Sequence, residues 1–241
     1  MIKDTKAKDN TNKNGTAINM EADFSGLTIA VLALQGAVSE HMDCLERCGA
    51  RALHVRRAGL LQEVDGLIIP GGESTTIGRL SNLFGFGEEV SALAATGKPI
   101  LGTCAGAILL ARRIEGQEPI IPLMNIAVQR NAFGRQRESF ETDLAIPALG
   151  TEPFCGIFIR APLIKEAAEG VEVLAAYDKG IVFVREKNLL ATSFHPELTD
   201  DLRLHRYFLG MALGQQKSIF NCTEVRSYNS GAGIKERNNQ I

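Results

Sequence analysis

The sequence predicts an α/β fold, a mostly parallel open sheet flanked by helices in three layers, with an antiparallel or mixed portion added. Three observations carry that expectation. Short apolar runs alternate with helix-like stretches from Leu27 to Arg113. Several of those runs end in glycine, cysteine or histidine, which suit a sharp exit from a buried strand. Beyond Asn125 strand-like runs follow one another without long helices between them. A chain of 241 residues is long enough for one such domain with ornaments.

Taken in order, residues 27–34 read as the first strand, 39–48 as a helix, and 51–55 and 66–69 as the next strands. Helices are expected over 75–83 and 86–96, then a strand over 98–103 leading into a helix over 105–113. The mixed portion offers strand candidates at 125–131, 155–160, 171–177, 181–185 and 189–194. An amphipathic helix over 200–213, started by an aspartate or threonine cap, closes the domain at 25–214. Residues 1–24, rich in Lys, Asp, Asn and Thr, lack apolar periodicity and are expected to be disordered, and 215–241 read as a polar tail.

Composition narrows the function classes. A formal net charge of -2 gives no reason to expect nucleic acid, and no long apolar run suggests a membrane span. The first residues have no hydrophobic signal-peptide centre, so a cytoplasmic protein is expected. Five cysteines, an odd number without framework spacing, point to reduced thiols. Cys44 and Cys48 are four apart, share a helix face and read as packing residues, with no metal or other cofactor expected.

Three strand ends carry the chemistry. In Gly102-Thr-Cys104-Ala-Gly106 a thiol follows a strand and precedes a helix, and the flanking glycines allow a strained turn with close strand–helix approach, as in the nucleophile elbow of serine hydrolases. A helix N-terminus behind the sulfur would favour the thiolate. Taken alone, Cys104 could equally be a packed thiol. A second apolar run ends in His195-Pro196-Glu197, which supplies a base and a carboxylate to orient it, whereas a lone histidine there would be structural. The third run ends in Pro70-Gly71-Gly72-Glu73-Ser74, where the amide of Gly72, together with that of Ala105, could form an oxyanion hole, or the loop could merely turn the chain and cap a helix.

These motifs resemble those of the class I (triad-type) glutamine amidotransferases in content and order. Leu32-Ala-Leu-Gln35-Gly36, Gly72-Glu-Ser74, Gln129-Arg130-Asn-Ala-Phe133-Gly-Arg-Gln136 and Phe158-Ile-Arg-Ala-Pro162 are similar to the vitamin B6 branch of that family, the glutaminase subunits of pyridoxal 5'-phosphate synthase. The resemblance covers about residues 27–214. It implies the amidotransferase fold and hydrolysis of L-glutamine to L-glutamate and ammonia by Cys104, His195 and Glu197. It also implies glutamine contacts at Gly72, Glu73, Ser74, Arg130, Ile159 and Arg160, and a synthase (lyase) subunit as the partner that consumes the ammonia. Arg130 and Arg160 are the candidates for holding the free carboxylate, although Arg135 and Arg137 lie close by in sequence. Gln35 is expected either to couple partner docking to the oxyanion loop or simply to pack. Two other readings stay open here: a catalytically silent docking subunit, and a cysteine hydrolase acting on peptides or γ-glutamyl conjugates.

Overall fold

A computed structural model of the chain describes residues 22–130, 139–178 and 180–214. The expectations for both termini, and for Asn131, Arg135 and Arg137, lie outside the described residues.

The first half is built of parallel strands and helices: β1 (Thr28–Leu32), α1 (Val38–Arg47), β2 (Arg51–Val55), β3 (Gly66–Ile69), α2 (Ser74–Leu83), α3 (Phe86–Ala95), β4 (Ile100–Thr103) and α4 (Ala105–Leu110). The second half comprises β5 (Ala111–Ile114), β6 (Met124–Gln129), β7 (Ser139–Leu144), β8 (Phe154–Ile159), β9 (Leu163–Ala167), β10 (Glu172–Tyr177), β11 (Gly180–Glu186) and β12 (Leu189–Thr192). A final helix, α5, covers 203–214. The main sheet runs β2-β1-β3-β4-β12-β11-β9-β6-β5, with β10 paired to β11, and β7 and β8 form a separate antiparallel pair. From β2 to β12 every pairing is parallel; β12–β11, β11–β9 and β9–β6 are antiparallel.

The two halves read differently because their faces are covered differently. Every residue of β3, β4 and β12 is buried, as expected of parallel strands sandwiched between helices. Successive side chains point to opposite faces. Ala30, Leu32, Leu67 and Ile69 pack with Ile77 of α2, Phe86 and Val90 of α3 and Ala107 of α4. Ile29, Val31 and Ile68 pack with Leu45 of α1 and with Leu204 and Phe208 of α5. The β7–β8 hairpin lies on this second face, where Phe140 stacks on Phe158 at 4.6 Å and Phe158 meets Phe194 at 5.8 Å. By contrast β6 and β8 alternate buried and half-buried residues.

The fold class is the one expected, with local differences. The helix behind Cys104 ends at Leu110, and Ala111–Ile114 forms β5. Both segments suit a helix by propensity, but Ala111 and Ile114 are buried while Arg112 and Arg113 are exposed, and pairing with β6 decides the outcome. Strands β7 and β9 were not anticipated, since Glu141, Asp143, Lys165 and Glu166 dilute their apolar pattern. The closing helix starts at residue 203, three residues later than expected, and Asp201 Oδ1 just before it accepts from Arg203 N at 3.0 Å.

Candidate active site

Register alone brings the three motif-bearing strand ends together. Ile69 of β3 pairs with Gly102 of β4, and Thr103 of β4 with Thr192 of β12. The chain therefore leaves the sheet side by side at Pro70-Gly71-Gly72, Cys104 and Ser193-Phe194-His195. Cys104 N donates to Thr192 O at 2.8 Å, which stitches two of these exits together.

Cys104 occupies a strained turn, with φ 50° and ψ -101°, a conformation costly for a residue with a Cβ. Both flanking glycines are needed. A Cβ on Gly106 would lie 2.1 Å from the carbonyl oxygen of Ile69, and one on Gly102 would lie 2.6 Å from the backbone carbon of Gly106. Only hydrogen lets α4 sit this close to β3 and β4. Cys104 is buried, its sulfur 3.9 Å from the carbonyl of Ile159. The Ala105 amide opens α4, so it has no acceptor within the helix.

His195 and Glu197 are brought together by a 3-10 turn over Pro196–Leu198. His195 Nδ1 lies 2.7 Å from Glu197 Oε1, and both residues are buried. With Nδ1 committed to the carboxylate, Nε2 is the nitrogen left for a proton from the thiol. Burial on its own would lower the imidazole pKa, but hydrogen bonds to Cys104 and Glu197, together with their charges, hold it at about 10. Burial pushes the Glu197 carboxyl up, yet the neighbouring His41 imidazole and the bond to His195 keep it below its ordinary value. The arrangement is that of an imidazole held between a carboxylate and a thiol, the geometry by which a base takes a proton from a nucleophile.

The Gly71-Gly72 loop is fixed from several sides. Gly71 N donates to Thr103 Oγ1 at 3.0 Å, and Ala37 N donates to Gly71 O at 3.0 Å. A trans peptide directs the Gly72 N–H away from Ala37. A Cβ on Gly71 would sit 2.3 Å from His195 Cε1, so only glycine leaves room for the imidazole. Gln35 Oε1 accepts from Glu73 N at 2.6 Å and ties the end of β1 to the loop. Glu73 caps α2, accepting from Thr76 N, and its bonds to threonines there lower its pKa.

Of the remaining expected site residues, Arg130 and Ile159 meet this site from the second half of the chain. Arg130, just past β6, donates to Gln117 Oε1 at 2.9 Å and pairs with Glu73 Oε1 at 3.4 Å. Ile159 ends β8, and Arg160 follows it, exposed and left-handed at φ 44°. β8 is anchored to the site because His195 N donates to Ile157 O at 2.8 Å. Ser74 is buried in the first turn of α2. Cys44 on α1 and Cys48 just past its end lie in the core, and burial raises the pKa of both, that of Cys44 to about 11.

Sequence reasoning overlooked His41, which lies 3.3 Å from Glu197, and its partners Thr103 and His205, all fully buried. A signal was present: His41, Cys44 and Leu45 share the buried stripe of α1, where a histidine must find partners.

Comparison with known proteins agrees with this architecture. The family model of the SNO glutamine amidotransferase family matches residues 31–213. Pyridoxal 5'-phosphate synthase subunit PdxT of Geobacillus sp. (strain WCH70) is 56% identical over 186 residues, 77% of this chain and 96% of that protein. The same-named protein of Moorella thermoacetica is 56% identical over 186 residues, covering 77% and 99%. A crystal structure of a glutamine amidotransferase matches with 50% identity and a TM-score of 0.73, covering 76% of this chain and 98% of that one. The structure of PurLQS from Thermotoga maritima, 16% identical with a TM-score of 0.59 over 80% and 98% of the two chains, shares the fold. On the strength of the matched span and these identities, this chain belongs to the SNO glutamine amidotransferase family.

Proposed function

We propose that this chain is the glutaminase subunit of a pyridoxal 5'-phosphate synthase, hydrolysing L-glutamine to L-glutamate and ammonia with Cys104, His195 and Glu197. The observation that carries the reading is the strained Cys104 turn beside a buried His195–Glu197 pair held at 2.7 Å. The names of the PdxT relatives supply the pathway.

His195 holds the thiol proton, and the Cys104 thiolate attacks the side-chain amide carbon of glutamine. The Gly72 and Ala105 amides take the oxyanion that forms. His195 returns its proton to the departing ammonia, leaving a glutamyl thioester on Cys104. It then takes a proton from water, whose oxygen attacks the thioester and releases glutamate and the thiol. Glu197 fixes the imidazole tautomer throughout. Glu73, Ser74, Arg130, Ile159 and Arg160 line the approach, the arginines facing the substrate carboxylate. Ammonia passes to the synthase subunit, and Gln35, bonded to the Glu73 amide, couples docking to the oxyanion loop. A reducing cytoplasmic setting suits a nucleophilic thiol.

Glutamate release by the chain mixed with its synthase subunit tests the reading. Cys104→Ala should lower the rate by at least ~10⁴-fold, and a glutamine-derived chloroketone should label Cys104 in the wild-type complex. Unchanged turnover in the variant would eliminate the thiol mechanism, whereas docking without turnover or labelling would mark a silent binding subunit.

A further inference from the structure

Glu197 has a second partner system that the triad alone does not require. Its Oε2 lies 3.3 Å from His41 Nε2, both side chains fully buried. The same nitrogen is 3.0 Å from Thr103 Oγ1, and His41 Nδ1 is 3.0 Å from His205 Nε2. The hydrogen bond proper runs between His41 and Thr103. Glu197 Oε2 lies off its axis and has no hydrogen-bond partner among the described residues, so it feels the polarity of that nitrogen rather than a linear bond.

Charge and hydrogen-bond accounting fix the tautomer. If His41 Nε2 were bare, its lone pair would face a buried carboxylate at 3.3 Å, a repulsion in a low-dielectric site. With the proton on Nε2, His41 donates to Thr103 and turns the positive end of its N–H dipole toward Glu197. Nδ1 is then the acceptor for the Nε2–H of His205. That leaves His205 Nδ1 as a bare acceptor, and this atom has no partner among the described residues. The reverse chain would bury an orphan N–H there, the rarer defect. Both imidazoles are neutral. Burial lowers His41, with Glu197 and Glu40 opposing and His195 adding to the shift; burial, His41 and Arg47 lower His205 to about 3, opposed by Glu197.

The network also reaches the oxyanion loop. Thr103 Oγ1 accepts from Gly71 N, while Ala37, one helical turn before His41, donates to Gly71 O. One end of α1 therefore touches both the acid of the triad and the loop that faces the oxyanion.

We propose that His41 is a positioning residue of the triad: its neutral imidazole, protonated on Nε2 and fixed by His205, holds Glu197 ionised and links it through Thr103 to the Gly71 loop. The proposal rests on the glutaminase reading above, and its two tests separate from that reading. The first needs no turnover. The chain has four histidines, and nitrogen NMR of the labelled chain at neutral pH should show His41 as the Nε2–H tautomer; an Nδ1–H ring would overturn the proposal.

The second test is kinetic, in the complex with the synthase subunit. His41→Leu should reduce kcat by about 10- to 100-fold, the worth of one hydrogen-bonding donor near a buried charge. Without that donor Glu197 protonates more readily, so the acid limb of kcat/KM should move up by about one pH unit. His41→Gln, which retains an N–H at the Nε2 position, should recover most of the rate and restore the limb. Equal losses in both variants with an unmoved limb would reduce His41 to packing. A wild-type complex that releases no glutamate would refute the glutaminase reading instead, while the tautomer would still decide whether His41 serves Glu197.

Discussion

The parallel half of the main sheet and the antiparallel strands of the second half of the chain, β8 of the separate pair included, contribute different kinds of residue to one site. From the parallel half come Gly71, Gly72 and Cys104, placed by strands buried on both faces and in direct register. β12, which carries His195, pairs parallel to β4 on one side and antiparallel to β11 on the other. From the antiparallel half come Arg130, Ile159 and Arg160, at the ends of strands that alternate buried and half-buried residues. The difference teaches a division of labour. On the proposed function, the groups that hold reacting atoms sit where backbone packs on backbone, and the groups that grip the substrate sit where side chains can move.

That contrast can be broken most directly with glycine. At Gly106 an added Cβ meets the Ile69 carbonyl at 2.1 Å, a backbone atom that cannot swing aside. At Gly156 of β8 the nearest atom is Leu144 Cδ1 at 2.7 Å, the tip of a flexible side chain. Gly106→Ala should therefore cost about 3 kcal/mol and displace the Cys104 turn, whereas Gly156→Ala should cost about 1 kcal/mol. Urea denaturation of both variants measures this. Equal losses would mean that the two halves are equally tolerant and that the elbow is not specially tight.

Much of the parallel half was legible in the sequence, since its strands are continuous apolar runs and its active groups immediately follow them. The antiparallel half was less so. β7 and β9 carry charged residues on their open faces, and β5 exists only because β6 is there to pair with it. Cys104, His195 and Glu197 announce themselves by position at strand ends. His41 and His205 do not, because each sits in an ordinary helical stripe and acquires its meaning only when α1 and α5 pack on the same face beside Glu197.

Those buried histidines make the catalytic region the acid-sensitive one. His41 and His205 are held below the ordinary histidine value, His205 at about 3, so in acid the unfolded chain binds protons that the folded one refuses. Stability then rises with pH and is lost as pH falls from about 6.5 toward 3. Glu197, also lowered, loses its contribution in the same direction. His195 is raised to about 10, so its contribution is complete below about 6.5 and is lost only as pH climbs through about 10; it does not offset the acid loss. Between pH 6.5 and 5.5 His205 alone should cost about 1 kcal/mol. Denaturation midpoints at these two pH values should converge in His205→Leu, and a wild-type midpoint indifferent to acid would mean that these rings are not held neutral.

The smallest expected effect falls on the recognition side, where it sharpens the distinction between gripping and reacting. Arg160 is exposed and has no hydrogen bond among the described residues, while Arg130 is tied to Gln117 and to Glu73 beside the oxyanion loop. If, as proposed, Arg160 serves only to contact the substrate carboxylate, equally in ground and transition states, Arg160→Ala should raise KM about 10-fold with kcat unchanged. Arg130→Ala frees Glu73, whose amide and carboxylate brace the loop, so it should raise KM and lower kcat together. Steady-state glutaminase kinetics of the two variants separate the cases. A fall in kcat for Arg160→Ala would show that the antiparallel half shapes the transition state too, and that the boundary between the two halves is not the boundary between binding and chemistry.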